Sequence, residues 1–440
     1  MKESLPDTDV RLSDRFDHLV KEHMGHGHIV AAGPRILPGN ASAFAATQAA
    51  WRFYNNERLT LPTLAQPLLD CAQFAVKECC QRYALVAHDW SNLDYRTHAR
   101  KKDRVALSNT SEIGYELRSA LLMSDQGETL APVCQDLRAA DGVHSSRHDK
   151  VQPSESCLDE LEPVLSFIDS LKLGVPVVHI IDREADSVGH YRQWHAAGHL
   201  FLVRADADRL VEHEGKEQKL TAVVELLTSR QAFRDTREVQ WHGQSARQWI
   251  AETEVTLTRP AQPHRVGPDG KMKRVQVAGP AITLRLVVSR VYDDKGNLLA
   301  EWLLLTNVPP EVAAAEIALW YYWRWRIESF FKLLKGAGQQ VEQWQQETPS
   351  AVARRLLVAT MACVLIWQLA RSTTPQAVRL RTLLIRLSGR QMKHGTEFTE
   401  PALLAGMWVL LAMLDALQQH DITDLEQLAA FALAGSPNSS

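Results

Sequence analysis

At 440 residues, with 45% hydrophobic and 23% charged content, the chain has an ordinary globular composition and length enough for two or three domains. A formal net charge of -3 excludes a uniformly basic nucleic-acid coat, so any nucleic-acid contact must be a local patch. Six scattered cysteines (Cys71, Cys79, Cys80, Cys134, Cys157, Cys363) form no CxxC pair, which argues for buried thiols in a reducing compartment and against a disulfide frame or a cysteine zinc site.

The start, Met1 to Asp7, lacks the apolar segment of an export signal. The longest apolar run, Leu356 to Ala370, falls short of the roughly 20 residues a membrane span needs and reads as a core helix. A cytoplasmic chain with no membrane partner is expected. Residues 1–75 read as mainly helical, with helices at Leu12 to Met24 and Ser42 to Asn55. His23, His26 and His28 sit in a Gly-rich turn between them, where a plain loop is a better reading than a metal site.

From Arg82 the pattern turns to strands. Tyr83 to Asp89 is a short apolar run ending on an acid. Strands at Tyr115 to Met123 and Thr129 to Leu137 follow, joined by the turn Ser124 to Gly127. A helix over Ser156 to Leu173 leads to Val175 to Asp182, a second apolar strand ending on an acid, then to a helix (Ser187 to Ala197) and a strand (His199 to Val203). Three strands, helix, strand, helix, strand is the order of an RNase H-like core, in which the first and fourth strands are neighbours. Asp89 and Asp182 would then meet. A strand-end Asp is just as often a turn residue, and Asp94 and Asp103 are nearby rivals outside the apolar strand.

Residues from about 205 to 310 form a β insertion, with strands at Arg234 to Trp241, Ala246 to Leu257, Ile282 to Tyr292 and Leu298 to Thr306, the last two joined by the turn Asp293 to Asn297. A basic loop (His264, Arg265, Lys271, Lys273 and Arg274 around Pro268-Asp269-Gly270) is either a phosphate contact or a solvated loop. From the residues themselves, Trp302 reads as a core-packing aromatic.

The stretch Tyr321 to Lys335 carries no Gly or Pro and stops at Gly336. Wound at about 100° per residue, Trp323, Ile327, Phe330 and Leu334 form an apolar stripe. Tyr321, Arg324, Glu328 and Lys335 fall within roughly 60° of one another on the other side, with Lys332 at the edge. One carboxylate sits among cations and a phenol, as a solvated ion-paired face would also have it. Beyond it, Ser350 to Leu369 and Pro401 to Gln418 are Leu/Ala/Val-rich helices, and 434–440 reads as a tail.

Tyr-x2-Arg-x3-Glu-x6-Lys is the YREK signature of a large group of bacterial insertion-sequence transposases. Arg324 to Glu328 followed by Lys335-Gly336-Ala337-Gly338 resembles the same block in the hairpin-forming cut-and-paste members. Asp182-Arg183-Glu184-Ala185-Asp186 matches their DREAD-type second-acid block, while in His88-Asp89-Trp90-Ser91 a Trp stands where Thr commonly follows the first acid. Ala50 to Asn56 is similar to a segment of their N-terminal helical domain, and their preceding basic motif is partly present in Arg11 to Phe16.

The resemblance implies an α/β fold: an RNase H-like catalytic core interrupted by a β-strand insertion (76–345), an N-terminal helical domain that grips transposon ends (1–75) and a C-terminal helical dimerisation region (346–440). It implies a DDE enzyme in which Asp89, Asp182 and Glu328 hold two Mg2+ ions, for which Mn2+ substitutes, with Asp89 bridging. It also implies that Arg204, Tyr321, Arg324 and Lys335 contact phosphates, that Trp302 takes an extruded base, and that a homodimer pairs double-stranded DNA ends, inserts them into target DNA and works at the nucleoid. The competing readings are an inert transposase-derived DNA-binding regulator and an RNase H-like nuclease without strand transfer.

Overall fold

The computed structural model describes residues 5–6, 8–25, 42–108, 111–148, 151, 158–241, 243–266, 272–393 and 395–433. His26, His28, Ser156, Cys157, the segment 268–271 and the tail 434–440 lie outside the described residues. The chain opens with α1 (Val10–Gly25), α2 (Ser42–Tyr54) and α3 (Leu61–Cys79). There follow β1 (Ala84–Asp94), β2 (Val105–Ala106), β3 (Ile113–Ser124), β4 (Thr129–Ala139) and β5 (Gly142–Ser145). The alternation that begins with α4 (Leu161–Ser170) continues through β6 (Val177–Ile181), α5 (Val188–Ala197) and β7 (Leu200–Arg204).

The segment after β7 is richer than its sequence pattern suggests. It holds β8 (Leu210–His213), β9 (Lys216–Lys219) and α6 (Leu220–Ser229) before the four long strands begin. These strands are β10 (Arg234–Trp241), β11 (Gln244–Leu257), β14 (Ile282–Tyr292) and β15 (Leu298–Thr306), with the short hairpin β12 (His264–Val266) and β13 (Met272–Arg274) between β11 and β14. Helices complete the chain: α7 (Ala314–Trp323), α8 (Trp325–Leu334), α9 (Pro349–Arg371), α10 (Pro375–Ser388), α11 (Glu400–Gln419) and α12 (Ile422–Leu433).

Contacts divide the chain into two units, each assembled from separated segments. One comprises Leu68–Asn92 and Arg104–Phe330. Its mixed sheet runs in the order β5-β4-β3-β1-β6-β7-β15-β14-β11-β8-β9. The central strands β1, β6 and β7 are parallel. Their parallel-paired segments, such as Ala84 to His88 and Val177 to Ile181, are short and mostly apolar, as strands covered on both faces must be. The insertion joins the same sheet, because β15 pairs antiparallel with β7 and carries β14 and β11 outward. A core of buried side chains from α4, α5, α6 and these strands, including Trp194, Tyr191, Phe201 and Leu305, fills one face. In the turn after β3, Gly127 has φ +85°, and a Cβ there would fall 2.4 Å from the Trp323 indole, so glycine is required twice over.

The other unit comprises Met1–Pro67, Leu93–Asp103 and Phe331–Ser440. The two ends of the chain, expected as separate domains at 1–75 and 346–440, belong together: α1 packs against α9 and α11. Most side chains of α9 are buried, including Arg354, whose guanidinium donates to the carbonyls of Leu59 and Tyr54. A helix apolar all round needs partners all round, and α1, α2, α10 and α11 supply them. By length and composition α9 and α11 are each long and apolar enough to cross a membrane, and α9 spends its apolar surface inside the protein.

Candidate functional site

Two acids lie at the same level on adjacent strands. β1 and β6 pair from Ala84↔Val177 to His88↔Ile181, so Asp89, within β1, and Asp182, just past the end of β6, follow the last pair. Both carboxylates are fixed locally. Asp89 Oδ1 accepts the Trp90 amide at 2.9 Å, and Asp182 Oδ1 accepts the Arg183 amide at 2.7 Å while capping the short turn Arg183–Ala185. The second aspartate of that five-residue block has another task. Asp186 accepts from the Tyr191 hydroxyl and the Asp206 amide and pairs with Arg209, holding the turn closed.

The stretch Tyr321 to Lys335 is not one uniform helix. It breaks into α7 and α8 at Arg324, where the Arg324 amide bonds back to Tyr321 and the Ile327 amide to Arg324, both over three residues. Such a 3₁₀ turn advances about 120° per residue, so positions before and after it do not keep the phase of an α-helix. The turn directs Arg324 inward. Its guanidinium meets Asp89 Oδ2 at 3.0 Å, Asp182 Oδ2 at 3.2 Å and Glu328 Oε1 at 3.2 Å. Tyr321 donates its hydroxyl to Asp182 Oδ1 at 3.0 Å. Three acids, from the middle of β1, the end of β6 and α8, therefore converge on a single arginine.

The solvated face read from the sequence is largely interior. Tyr321 and Arg324 are buried, at 2% and 4% exposure, because three carboxylates that are only partly solvated need a counter-charge among them. Burial pushes the Asp89 carboxyl up, and Arg324 and the Trp90 amide offset only part of that, leaving it above the ordinary value. Burial also pushes Asp182 up, but Arg324, the Arg183 amide, Tyr321 and Arg204 outweigh it and hold this acid below the ordinary range. Burial opposes the charge on Arg324 as well, and Asp182 and Asp89 more than restore it. Desolvation first, then Asp182, pushes the Tyr321 phenol up, so it remains a donor.

The other residues singled out from sequence fall in different places. Arg204, at the end of β7, lies 3.9 Å from Asp182 Oδ1 and is partly exposed. Trp302 on β15 is only 5% exposed, with the Trp241, Tyr321 and Tyr322 rings 5.7–6.5 Å away. Its ring is packed among these aromatic neighbours. Lys335 belongs to the helical unit, where it pairs with Glu342 at 3.5 Å. The rival Asp94 is held by Arg96, and Asp103 is exposed at a positive φ of 53°. Arg265 of the basic hairpin turns back to Asp159 at 2.8 Å, and on α2 Trp51 and Arg52 are exposed. Arg324, a phosphate contact by resemblance, lies here among the three acids. The only sequence clue was its spacing of four from Glu328, which suits an intrahelical pair as well.

The donor set around Arg324 is all carboxylate oxygen, the type that hard divalent cations such as Mg2+ take, and it already accommodates positive charge in the form of the guanidinium. No protein-family model and no curated protein matches the chain. One solved structure similar to it is the cryo-EM structure of piggyBac transposase synaptic complex with hairpin DNA, at a TM-score of 0.37 and 9% identity, covering 99% of this chain and 78% of that chain. The likeness is distant and carries no chemistry with it.

Proposed function

We propose that the chain is a DNA transposase of the cut-and-paste type, with Asp89, Asp182 and Glu328 as its catalytic carboxylates on an RNase H-like core. The observation that carries this reading is the convergence of those three acids on Arg324 from β1, β6 and α8. It is supported by the strand order β4-β3-β1-β6-β7, which suits that core, and by the YREK and DREAD-type blocks that contribute the same residues. An inert regulator has no need to keep three acids around one cation.

Asp89, Asp182 and Glu328 would hold two Mg2+ ions, with Mn2+ as a substitute, and bound metal would supply an activated nucleophile and charge neutralisation at the leaving oxygen. The chain's own residues prepare that arrangement. The Trp90 and Arg183 amides and the Tyr321 hydroxyl fix the acids, and Arg324 balances their charge. Arg204, partly exposed beside Asp182, is positioned to meet a phosphate. Trp51 and Arg52 on α2 suit a contact with double-stranded transposon ends, and a homodimer would pair two such ends before insertion into target DNA.

A second reading has one observation in its favour. Trp302 is packed, so the base-extrusion step of a hairpin pathway finds no free platform there. A metal-dependent nuclease without strand transfer would need none. Incubating the full chain and Mg2+ with DNA carrying the element's own ends separates the readings. Nicks, hairpins and joined products are expected from the native chain, and no nicking from Asp89→Asn, Asp182→Asn or Glu328→Gln despite retained DNA binding. Nicks alone would favour the nuclease. Activity that survives all three substitutions would overturn both.

A further inference from the structure

On the sheet unit, away from Arg324, a second group of side chains has the chemistry of a transition-metal site. Asp169 at the end of α4, His179 in β6 and His199 just before β7 place one ligand atom each within 4.8 Å of one another. His199 Nδ1 lies 2.6 Å from Asp169 Oδ2, and His179 Nε2 lies 3.7 Å from Asp169 Oδ1. Both imidazoles are buried, while the Asp169 side chain is 42% exposed and leaves a route from solvent.

An ordinary ion pair between Asp169 and His199 accounts for that one short contact. It accounts less well for His179. Its Nε2 is fully buried and faces Asp169 Oδ1 at 3.7 Å, too far for a hydrogen bond, and it has no hydrogen-bond partner among the described residues. Leaving a buried ring nitrogen unsatisfied is unfavourable, and a coordinate bond would remove that cost. The outer partners are also in place. His179 Nδ1 is 2.9 Å from His88 Nε2, and His199 Nε2 is 3.2 Å from Glu162 Oε1. Metal-binding imidazoles are oriented in this way, through the nitrogen that does not ligate.

We infer that Asp169, His179 and His199 bind one Zn2+-class ion, distinct from any ion at Asp89, Asp182 and Glu328, with His88 and Glu162 orienting the two imidazoles. Two imidazoles and a carboxylate form a borderline nitrogen–oxygen set that suits zinc or cobalt better than magnesium. Three protein ligands leave a fourth position for water. The ion would tie α4 to β6 just behind Asp182, a structural clamp independent of the function proposed above.

The test uses the full chain, stripped with EDTA and titrated with Co2+, whose tetrahedral complexes absorb visible light. About one equivalent should bind with that band, be displaced by Zn2+, and persist in the Asp89→Asn/Asp182→Asn/Glu328→Gln variant. His179→Gln and His199→Gln should abolish the band, and His88→Phe should weaken Co2+ binding by about 10–100-fold. Should the buried histidine variants fail to fold, Asp169→Asn, at a half-exposed side chain, decides alone. It must melt like the native chain in EDTA and bind Co2+ at least about tenfold more weakly. No band in the native chain, a band lost only with the Asp89 triple variant, or undiminished binding by Asp169→Asn would overturn the assignment.

Discussion

At the scale of single residues, Arg324 and Trp302 decide how the site is understood. Arg324 is 5% exposed by its side chain, and its three partners are 22–33% exposed, so the cluster is neither a surface pair nor a fully dry one. Removing the guanidinium leaves three carboxylates without their shared cation, and Arg324→Ala should lose about 2–3 kcal/mol, less than breaking a fully buried pair because the acids are partly solvated. Mg2+ should then raise the melting temperature of this variant more than that of the native chain, since a divalent ion restores the missing charge. Equal shifts would mean that the ion does not bind where the guanidinium sits. Trp302→Ala should cost about 3–5 kcal/mol, as for other buried tryptophans, and nicking and hairpin formation should decline together. A native melting curve with hairpins alone delayed would restore Trp302 to a direct role with DNA.

At the scale of elements, apolar runs and turn chemistry made most of the sheet legible, down to Arg234–Trp241 and Ile282–Tyr292 residue for residue. The acids Asp89 and Asp182 were legible because each ends such a run. Helix α3 lacked a clear signal, with Pro67 inside it, and the break at Arg324 had none, because no Gly or Pro marks it. Polar groups buried inside strands are equally silent. In β3 and β4, Arg118 bonds Asp136 and Glu160, and Asp136 also accepts from Arg147 at 3.0 Å and Ser145 at 2.6 Å, all of them buried. Burial pushes the Asp136 carboxyl up, but Arg118, Arg147 and Ser145 outweigh it and leave it below its ordinary 3.8. The unfolded chain therefore takes up this proton first as pH falls. The stabilisation is complete above about pH 4 and drains away below it, toward the folded-state value. Asp136→Asn should lower stability by about 3–5 kcal/mol at pH 7, and urea midpoints should show that deficit shrinking below about pH 4. A deficit that stays constant with pH would mean that lost packing, not charge, is responsible.

At the scale of the whole molecule, periodicity reports that a helix has an apolar face but not which helix covers it. That is why the ends of the chain read as two domains, although α1 lies against α9 and α11. The same packing shows how the proposed dimer should be tested. Cutting the chain after Gly338 would remove the partners of α1 and unfold the N-terminal helices along with any interface. Point substitutions are cleaner. The second half of α11 exposes Val409, Met413, Leu414 and Leu417, a stripe at helical spacing, and α12 exposes Leu428 and Phe431. Exposed apolar stripes of this kind mark association surfaces. If a second copy covers this one, Leu414→Glu with Leu417→Glu should weaken self-association about 100-fold, at roughly 1.4 kcal/mol for each tenfold step. Sedimentation would show the shift to monomer, with melting little changed because neither side chain is buried in the chain itself. Binding to a single DNA end should survive and paired-end complexes should vanish. A double variant that still sediments as a dimer would place the interface elsewhere.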